Sequence, residues 1–136
     1  MSLRVWLLCC LALIPLHIVA SEHLYTPLKR VKKEDLEQLL IPDLKGIVLI
    51  PSKEHVLQAA ALEEVAGIDI IDIQLPGPSA RLKTQLEPFL GKPLTLNGAY
   101  SLRNAIAKFY EEFYHPLVIV EVPTQDISHN VVQIVV

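Results

Sequence analysis

The order of predicted elements in the second half of the chain constrains the fold more than any other feature. Apolar and polar residues alternate over residues 68–75, which is typical of a half-buried strand. One helix is predicted over residues 80–90, and a longer one follows Thr95, whose side chain suits an N-cap. Two apolar segments, 117–122 and 131–136, then predict strands. The predicted order is β-α-α-β-β, which belongs to the α+β class.

The residues before this unit predict a helix, a strand and a second helix. Leucines at helical spacing within residues 34–40 predict the first helix. Gly46–Ile50 is an unbroken apolar run bounded by a glycine and a proline, which is typical of a buried strand. Ser52 is a candidate N-cap for the second helix, which we expect to continue to Val65.

Residues 1–20 have the composition of a secretory signal peptide. Arg4 supplies the positive charge, and residues 5–16 are almost entirely apolar. We therefore predict export, with cleavage before Ser21 or Glu22. A retained membrane anchor is an alternative that the short apolar run disfavours. A lipoprotein is disfavoured as well, because a leucine precedes the first cysteine where a small residue is needed.

Cysteine content and charge exclude several kinds of site and partner. Both cysteines, Cys9 and Cys10, lie in the predicted signal, so the exported chain has no disulfide and no thiolate metal site. The formal net charge is −3, and the only basic cluster lies within residues 29–33. One short cluster on an acidic chain is weak evidence for nucleic acid. We predict no nucleic-acid partner.

The sequence shows no pattern that predicts catalysis. Histidines 23, 55, 115 and 129 are scattered over the leader, a helix start and two turns. The nucleophile-elbow, zinc-helix and phosphate-loop motifs do not occur in the sequence. We therefore predict a protein that is not an enzyme and that has no catalytic residues, no metal site and no cofactor.

Several short motifs occur at fixed positions in the second half of the chain. Gly91-Lys92-Pro93-Leu94 precedes the long helix, and Tyr110 lies near its end. Pro123-Thr124-Gln125-Asp126 follows the second predicted strand, and a valine-rich strand over 131–136 ends the sequence. In this order and spacing, the motifs resemble the POTRA domain of two-partner secretion transporters of the hemolysin-activator type. The resemblance covers about residues 68–136.

Two positions depart from the pattern of that family. Tyr114-His115 stands where the family usually has a glycine followed by an aromatic residue, so Pro116 is expected to end the helix instead. Asn130 stands where a glycine is usual in the last turn. Asparagine tolerates the left-handed backbone conformation better than most residues, so we expect this exchange to be mild.

The resemblance implies a POTRA-like fold with a three-stranded mixed sheet and two helices on one face, behind the helix-strand-helix extension. Together with the predicted signal peptide, it divides the chain into a signal peptide over residues 1–20, a leader and extension over 21–66, and the POTRA-like domain over 67–136. It also implies that the second strand of the β-α-α-β-β unit lies at the edge of the sheet.

The same resemblance implies a function in the periplasm at the outer membrane. The module would bind an unfolded secreted polypeptide and pass it to an outer-membrane β-barrel. That barrel belongs to the same chain if the sequence is a piece of a transporter, and to another protein otherwise. The alternative is a structural docking module of an envelope complex, without cargo transport.

We predict that the secreted polypeptide binds at the sheet edge by strand addition. An edge strand exposes unpaired N–H and C=O groups, so an extended segment can pair with it. The edge is either open or covered by the strand Gly46–Ile50, and the sequence leaves both alternatives. The predicted site residues are Leu82 and Leu86 on the first helix and Leu117, Val118, Ile119, Val120, Glu121 and Val122 on the edge strand.

Overall fold

The computed structural model describes residues 32–136, so the predicted signal peptide and most of the leader lie outside the described residues. Within residues 32–136, no helix has the length and apolar character needed to cross a membrane. The helices and strands of this part are α1 Lys33–Leu36, β1 Leu39–Ile41, β2 Gly46–Ile50, α2 Ala59–Leu62, β3 Gly67–Ile70, α3 Ser79–Leu86, β4 Leu94–Thr95, α4 Leu96–Glu112 and β5 Val131–Val135.

The main sheet has three strands in the order β3-β2-β5. The central strand β2 is parallel to both neighbours, and all five of its residues are buried. Beyond β5, Glu121 forms a single antiparallel bridge with Val135, so the hydrogen bonding is mixed. A separate antiparallel pair joins β1 to β4. The predicted α+β class is confirmed.

Helices α3 and α4 cover one face of this sheet, as predicted. Thr95 caps α4, because its hydroxyl oxygen accepts a hydrogen bond from the N–H of Gly98 at 3.1 Å. The leucine, isoleucine and phenylalanine side chains of α4 recur at helical spacing, so they form one apolar stripe, and this stripe faces the sheet. The buried cluster on this face includes Leu82, Leu86, Leu102, Ile106 and Phe109 from the helices and Ile47, Leu49, Ile68, Val132 and Ile134 from the sheet.

The connection between β2 and β3, residues 51–66, covers the opposite face. Leu62 of α2 packs there on Val48, Ile50 and Val131. Asp69 of β3 is exposed, but β2 and β5 are buried on both faces, which explains why these two strands read as nearly continuous apolar runs. The exception is Gln133, whose fully buried side chain accepts a hydrogen bond from the N–H of Leu57 at 2.6 Å and donates one to its C=O at 3.0 Å.

Two predicted helices of the extension are wrong in extent. The helix expected over 34–40 ends at Leu36, because the following leucines form β1 and pair with β4. The helix expected from Ser52 to Val65 is only a 3₁₀ turn at Lys53–His55 and the single turn of α2. Ser52 caps neither, since its hydroxyl is hydrogen-bonded to His55 Nδ1 at 2.8 Å.

Two predicted strands are also shorter than expected. The strand expected over 68–75 ends at Ile70, and Asp72 has a left-handed backbone with φ 52°. The segment 117–122 is not a strand, because only Glu121 pairs with another strand. The third strand of the sheet is instead β2, which lies between β3 and β5 and does not cover the far side of residues 117–122.

Candidate functional site

The segment 117–122, called the rim segment below, lies beside β5 at the end of the sheet. The N–H of Glu121 donates to the C=O of Val135 at 3.0 Å, and the N–H of Val135 donates to the C=O of Glu121 at 2.8 Å. The opposite edge of β5 pairs with β2. The rim segment is therefore the outermost element at this end of the described part of the sheet.

Over residues 117–120, exposed side chains alternate with side chains that are buried or half-buried. Val120 is buried and Val118 is half-buried, and both pack on the cluster beneath α3 and α4. Leu117 and Ile119 are 95% and 80% exposed. Such exposure is unusual for large apolar side chains that stand close together, and it marks surfaces that bind a partner.

The glutamine of the Pro123-Thr124-Gln125-Asp126 motif completes the outer edge of β5. In a regular antiparallel pair, the residue opposite Gln133 would be Pro123, which has no N–H to donate. The side chain of Gln125 takes over both bonds: its amide nitrogen donates to the C=O of Gln133 at 2.7 Å, and its oxygen accepts from the N–H of Gln133 at 2.6 Å. The amide nitrogen also lies 3.2 Å from the C=O of Pro123.

Replacing Gln125 with alanine is expected to lower the free energy of unfolding by about 1–3 kcal/mol, because two part-buried backbone groups of β5 lose their partners. Urea unfolding of the full chain measures this loss. Gln74→Ala is the control, since Gln74 is exposed; its change is expected to stay within about 0.5 kcal/mol. Equal stability of the two variants would contradict a structural role for the motif glutamine.

Helix α4 ends in a Schellman motif directly before the rim segment. The N–H of His115 donates to the C=O of Tyr110 at 2.9 Å, and the N–H of Tyr114 donates to the C=O of Glu111 at 3.0 Å. Tyr114 has the left-handed backbone of this motif, with φ 64°. A residue with a Cβ pays roughly 1–2 kcal/mol for that conformation, which is why glycine is preferred there.

Two clefts, together called the groove below, lie where the rim segment borders α4. At one end is a cleft of about 390 Å³, lined by Tyr110, Tyr114, His115, Pro116, Leu117 and Val118. At the other end is a cleft of about 320 Å³, lined by Leu40, Leu96, Ala99, Tyr100, Arg103, Glu121 and Val122. Four of the six predicted residues of the rim segment, Leu117, Val118, Glu121 and Val122, therefore line these clefts, and Ile119 and Val120 connect them along the chain.

The structure contradicts the predicted site at Leu82 and Leu86. Both side chains are fully buried in the core between α3 and the sheet, so a ligand cannot reach them. The helix that borders the rim segment is α4, which contributes Ala99, Tyr100 and Arg103 at one end and Tyr110 at the other. Helical spacing predicts which residues share a face, but it does not predict which helix reaches the edge of the sheet.

The ionisable groups near the site serve local structure. Lys53 and Glu121 form an ion pair at 2.8 Å, and because both side chains are well exposed it contributes little to stability. Hydrogen bonds from Ser128 hold the pKa of Asp126 below its usual value, and the N–H of Ser128 lies 2.7 Å from Asp126 Oδ1. Burial raises the pKa of Tyr110. Within residues 32–136, no cluster of three or more His, Cys, Asp or Glu side chains could hold a metal ion.

A family profile, described as the ShlB-type POTRA domain, matches residues 64–136. The match includes β3, the two helices on one face of the sheet, the rim segment and β5. The chain belongs to the ShlB-type POTRA family. No curated protein and no solved structure matches the chain at a significant level.

POTRA domains of this type are non-catalytic polypeptide-binding modules of two-partner secretion. The family is periplasmic and associated with the outer membrane. The sheet of the present POTRA chain contains a strand from outside the predicted β-α-α-β-β unit, because β2, from the extension, lies between β3 and β5. Gln133 is not among the residues predicted from the sequence, although a glutamine within the valine-rich strand is a visible signal.

Proposed function

We propose that this POTRA chain binds an extended segment of a secreted polypeptide by strand addition along the rim segment. The observation that carries the proposal is the antiparallel bridge between Glu121 and Val135. Because Glu121 directs its N–H and C=O toward β5, an extended backbone directs those of Val120 and Val122 away from the sheet. No backbone hydrogen bond joins these two residues to the rest of residues 32–136.

The groove beside α4 supplies room for the added segment. Its two clefts lie at the two ends of the rim segment, and apolar side chains line much of both. Backbone hydrogen bonds accept almost any sequence, which suits a module that handles unfolded cargo. Each such bond contributes only about 0.5–1.5 kcal/mol net, so we expect weak and reversible binding.

We also propose a compartment and a partner for the module. Residues 1–20 are proposed to act as a signal peptide that exports the chain to the periplasm, and an outer-membrane β-barrel is proposed to receive the secreted polypeptide. The POTRA family supports both the compartment and the transport role in general. We further propose that the extension is part of the binding module, since β2 is the central strand of its sheet.

Substituting proline for Val122 is expected to weaken binding by about 3- to 10-fold, because it removes one outward N–H while Glu121 keeps its bonds to β5. The probe is a synthetic peptide of roughly ten residues that alternates valine with threonine, with a lysine at each end. Binding to the full chain is measured by fluorescence anisotropy. Val122 is preferred to Val120 because it is 37% exposed and the change spares the core.

The matched control is Val122→Ala, which shortens the side chain but keeps the N–H. We expect it to bind the peptide with an affinity within about twofold of the unchanged chain, since one partly exposed side chain contributes little. Absence of peptide binding by the unchanged chain would contradict the proposed function and favour a docking module without cargo. Equal affinities of the proline and alanine variants would contradict strand addition at the rim segment.

The sheet has a second edge, at β3, that provides an internal comparison. β3 pairs with β2 on one side, and no further strand of residues 32–136 pairs with its other side. A cleft of about 650 Å³ lies there, lined by residues that include Asp69, Ser79 and Lys83. Apolar side chains also line this cleft, but none of them is an exposed large hydrophobic residue. We favour the rim segment because Leu117 and Ile119 are 95% and 80% exposed beside it.

A further inference from the structure

Tyr114 combines a disfavoured backbone with an almost fully exposed ring. Three residues other than glycine have a left-handed backbone within residues 32–136: Asp72, Tyr114 and Asn130. Aspartate and asparagine adopt this conformation readily, but tyrosine does not. The ring of Tyr114 is 93% exposed, so packing within the described chain does not offset the strain.

The neighbouring aromatic residues show what a structural role looks like in this helix. Phe109 packs edge-on against Tyr110, with ring centroids 5.8 Å apart, and against Phe113 at 5.0 Å. Tyr114 makes no such ring contact within residues 32–136. The backbone of Tyr114 closes the end of α4, but its side chain packs on nothing in the described chain, and such a strained residue is a candidate for a role in binding.

The position of Tyr114 indicates what it would bind. It lines the cleft of about 390 Å³ at one end of the groove, together with Pro116, Leu117 and Val118. Tyr114, Leu117 and Ile119 are the three most exposed large apolar side chains among residues 32–136. Aromatic residues that combine a large apolar surface with a polar tip are preferred anchors in interfaces.

We propose that Tyr114 anchors an apolar side chain of the extended polypeptide at one end of the groove. This inference rests on the proposed function and adds a specificity to it, because strand addition alone does not distinguish one sequence from another. The occupant is apolar because leucine, valine, proline and tyrosine supply most of the cleft wall and no carboxylate lines it. The module would then bind segments with an apolar residue at that position more tightly than segments with a polar residue there.

The test compares Tyr114→Gly with the unchanged full chain and uses two peptides of roughly ten residues. One peptide alternates valine with threonine between terminal lysines, and in the other each valine is replaced by serine. Tyr114→Gly is expected to bind the valine peptide about tenfold more weakly and the serine peptide with unchanged affinity. Tyr114→Phe is expected to keep the affinity for the valine peptide, since it retains the ring.

Stability measurements separate anchoring from a structural role. Tyr114→Gly is expected to unfold at a higher urea concentration than the unchanged chain, because glycine removes the left-handed strain. The matched control is Asn130→Gly, which changes a left-handed residue outside the cleft, where φ is 58°. We expect Asn130→Gly to leave the affinities for both peptides unchanged.

The possible failures of the two proposals differ. If the unchanged chain binds the valine peptide and Tyr114→Gly binds it equally well, the anchor is overturned and strand addition stands. If Tyr114→Gly weakens both peptides equally, or unfolds at a lower urea concentration, Tyr114 is structural and the anchor is again overturned. If the unchanged chain binds neither peptide, the proposed function fails, and the anchor fails with it.

Discussion

Replacing Phe109 with alanine is expected to lower the free energy of unfolding by about 3–5 kcal/mol. Phe109 is fully buried on the face of α4 that packs on the sheet, and its ring contacts the rings of Tyr110 and Phe113. The substitution removes apolar burial and leaves a cavity between the helices and the sheet, which close-packed neighbours fill only in part. Urea unfolding of the full chain measures the loss as a lower midpoint with an unchanged slope.

The control for Phe109→Ala lies on the same helix. Tyr100 is 37% exposed, and its ring lies 5.5 Å from the guanidinium of Arg103. Tyr100→Ala is expected to cost less than about 1 kcal/mol, because an exposed cation–π contact contributes little. Similar midpoints for the two alanine variants would show that α4 does not pack on the sheet through Phe109.

Replacing Gln133 with leucine is expected to lower the free energy of unfolding by about 3 kcal/mol. Leucine has a similar volume, so the change creates little cavity. It leaves the N–H and C=O of Leu57 without the partners that Gln133 provides at 2.6 and 3.0 Å. These bonds hold the connection between β2 and β3 on its face of the sheet. Urea unfolding measures the stability, and faster hydrogen exchange at the N–H of Leu57 would locate the effect.

Gln74→Leu is the matched control for Gln133→Leu. Gln74 is exposed, so the same chemical change there is expected to alter stability by no more than about 0.5 kcal/mol. If Gln133→Leu is as stable as the unchanged chain, another interaction holds residues 51–66 on the sheet. If the N–H of Leu57 also keeps its slow hydrogen exchange, the side chain of Gln133 is not needed to hold residues 51–66 on the sheet.

The features of the fold that depend on residues close together in the sequence were predicted correctly. The cap at Thr95 and the apolar stripe of α4 depend on residues within a few positions of one another, and the structure confirms both. The buried strand Gly46–Ile50 was predicted for the same reason, because its apolar run and its bounding residues are local. Asn130 has the left-handed backbone that was expected where the family usually has glycine.

Two of the wrong predictions depend on backbone pairing, which acts between residues distant in sequence. Leucines 39 and 40 fit a helix by spacing, but pairing with β4 holds them in a strand. The segment 117–122 fits a strand by composition, but Pro123 cannot continue the pairing with β5 and the side chain of Gln125 replaces it. Neither outcome can be read from the local pattern, because the competing partner lies elsewhere in the chain.

For the candidate site, the sequence predicted the segment but not its surroundings. The predicted residues of the rim segment do lie at the border of the sheet, and four of the six are exposed. The predicted helix partners, Leu82 and Leu86, are buried, and α4 borders the groove instead. The role of Tyr114 emerges only from its backbone angle and exposure together, neither of which a sequence pattern reports.

By itself, the sequence determined the class of the protein: its motifs identified the POTRA family, and its periodicities located α4 and the strands β2 and β5. Only the tertiary structure decided that β2 stands at the centre of the sheet and that α4 borders the rim segment. The physical reason is that helical and strand spacing report which side chains share a face. The order of strands depends instead on which of several apolar surfaces pack together, and many sequences with the same spacing leave that choice open.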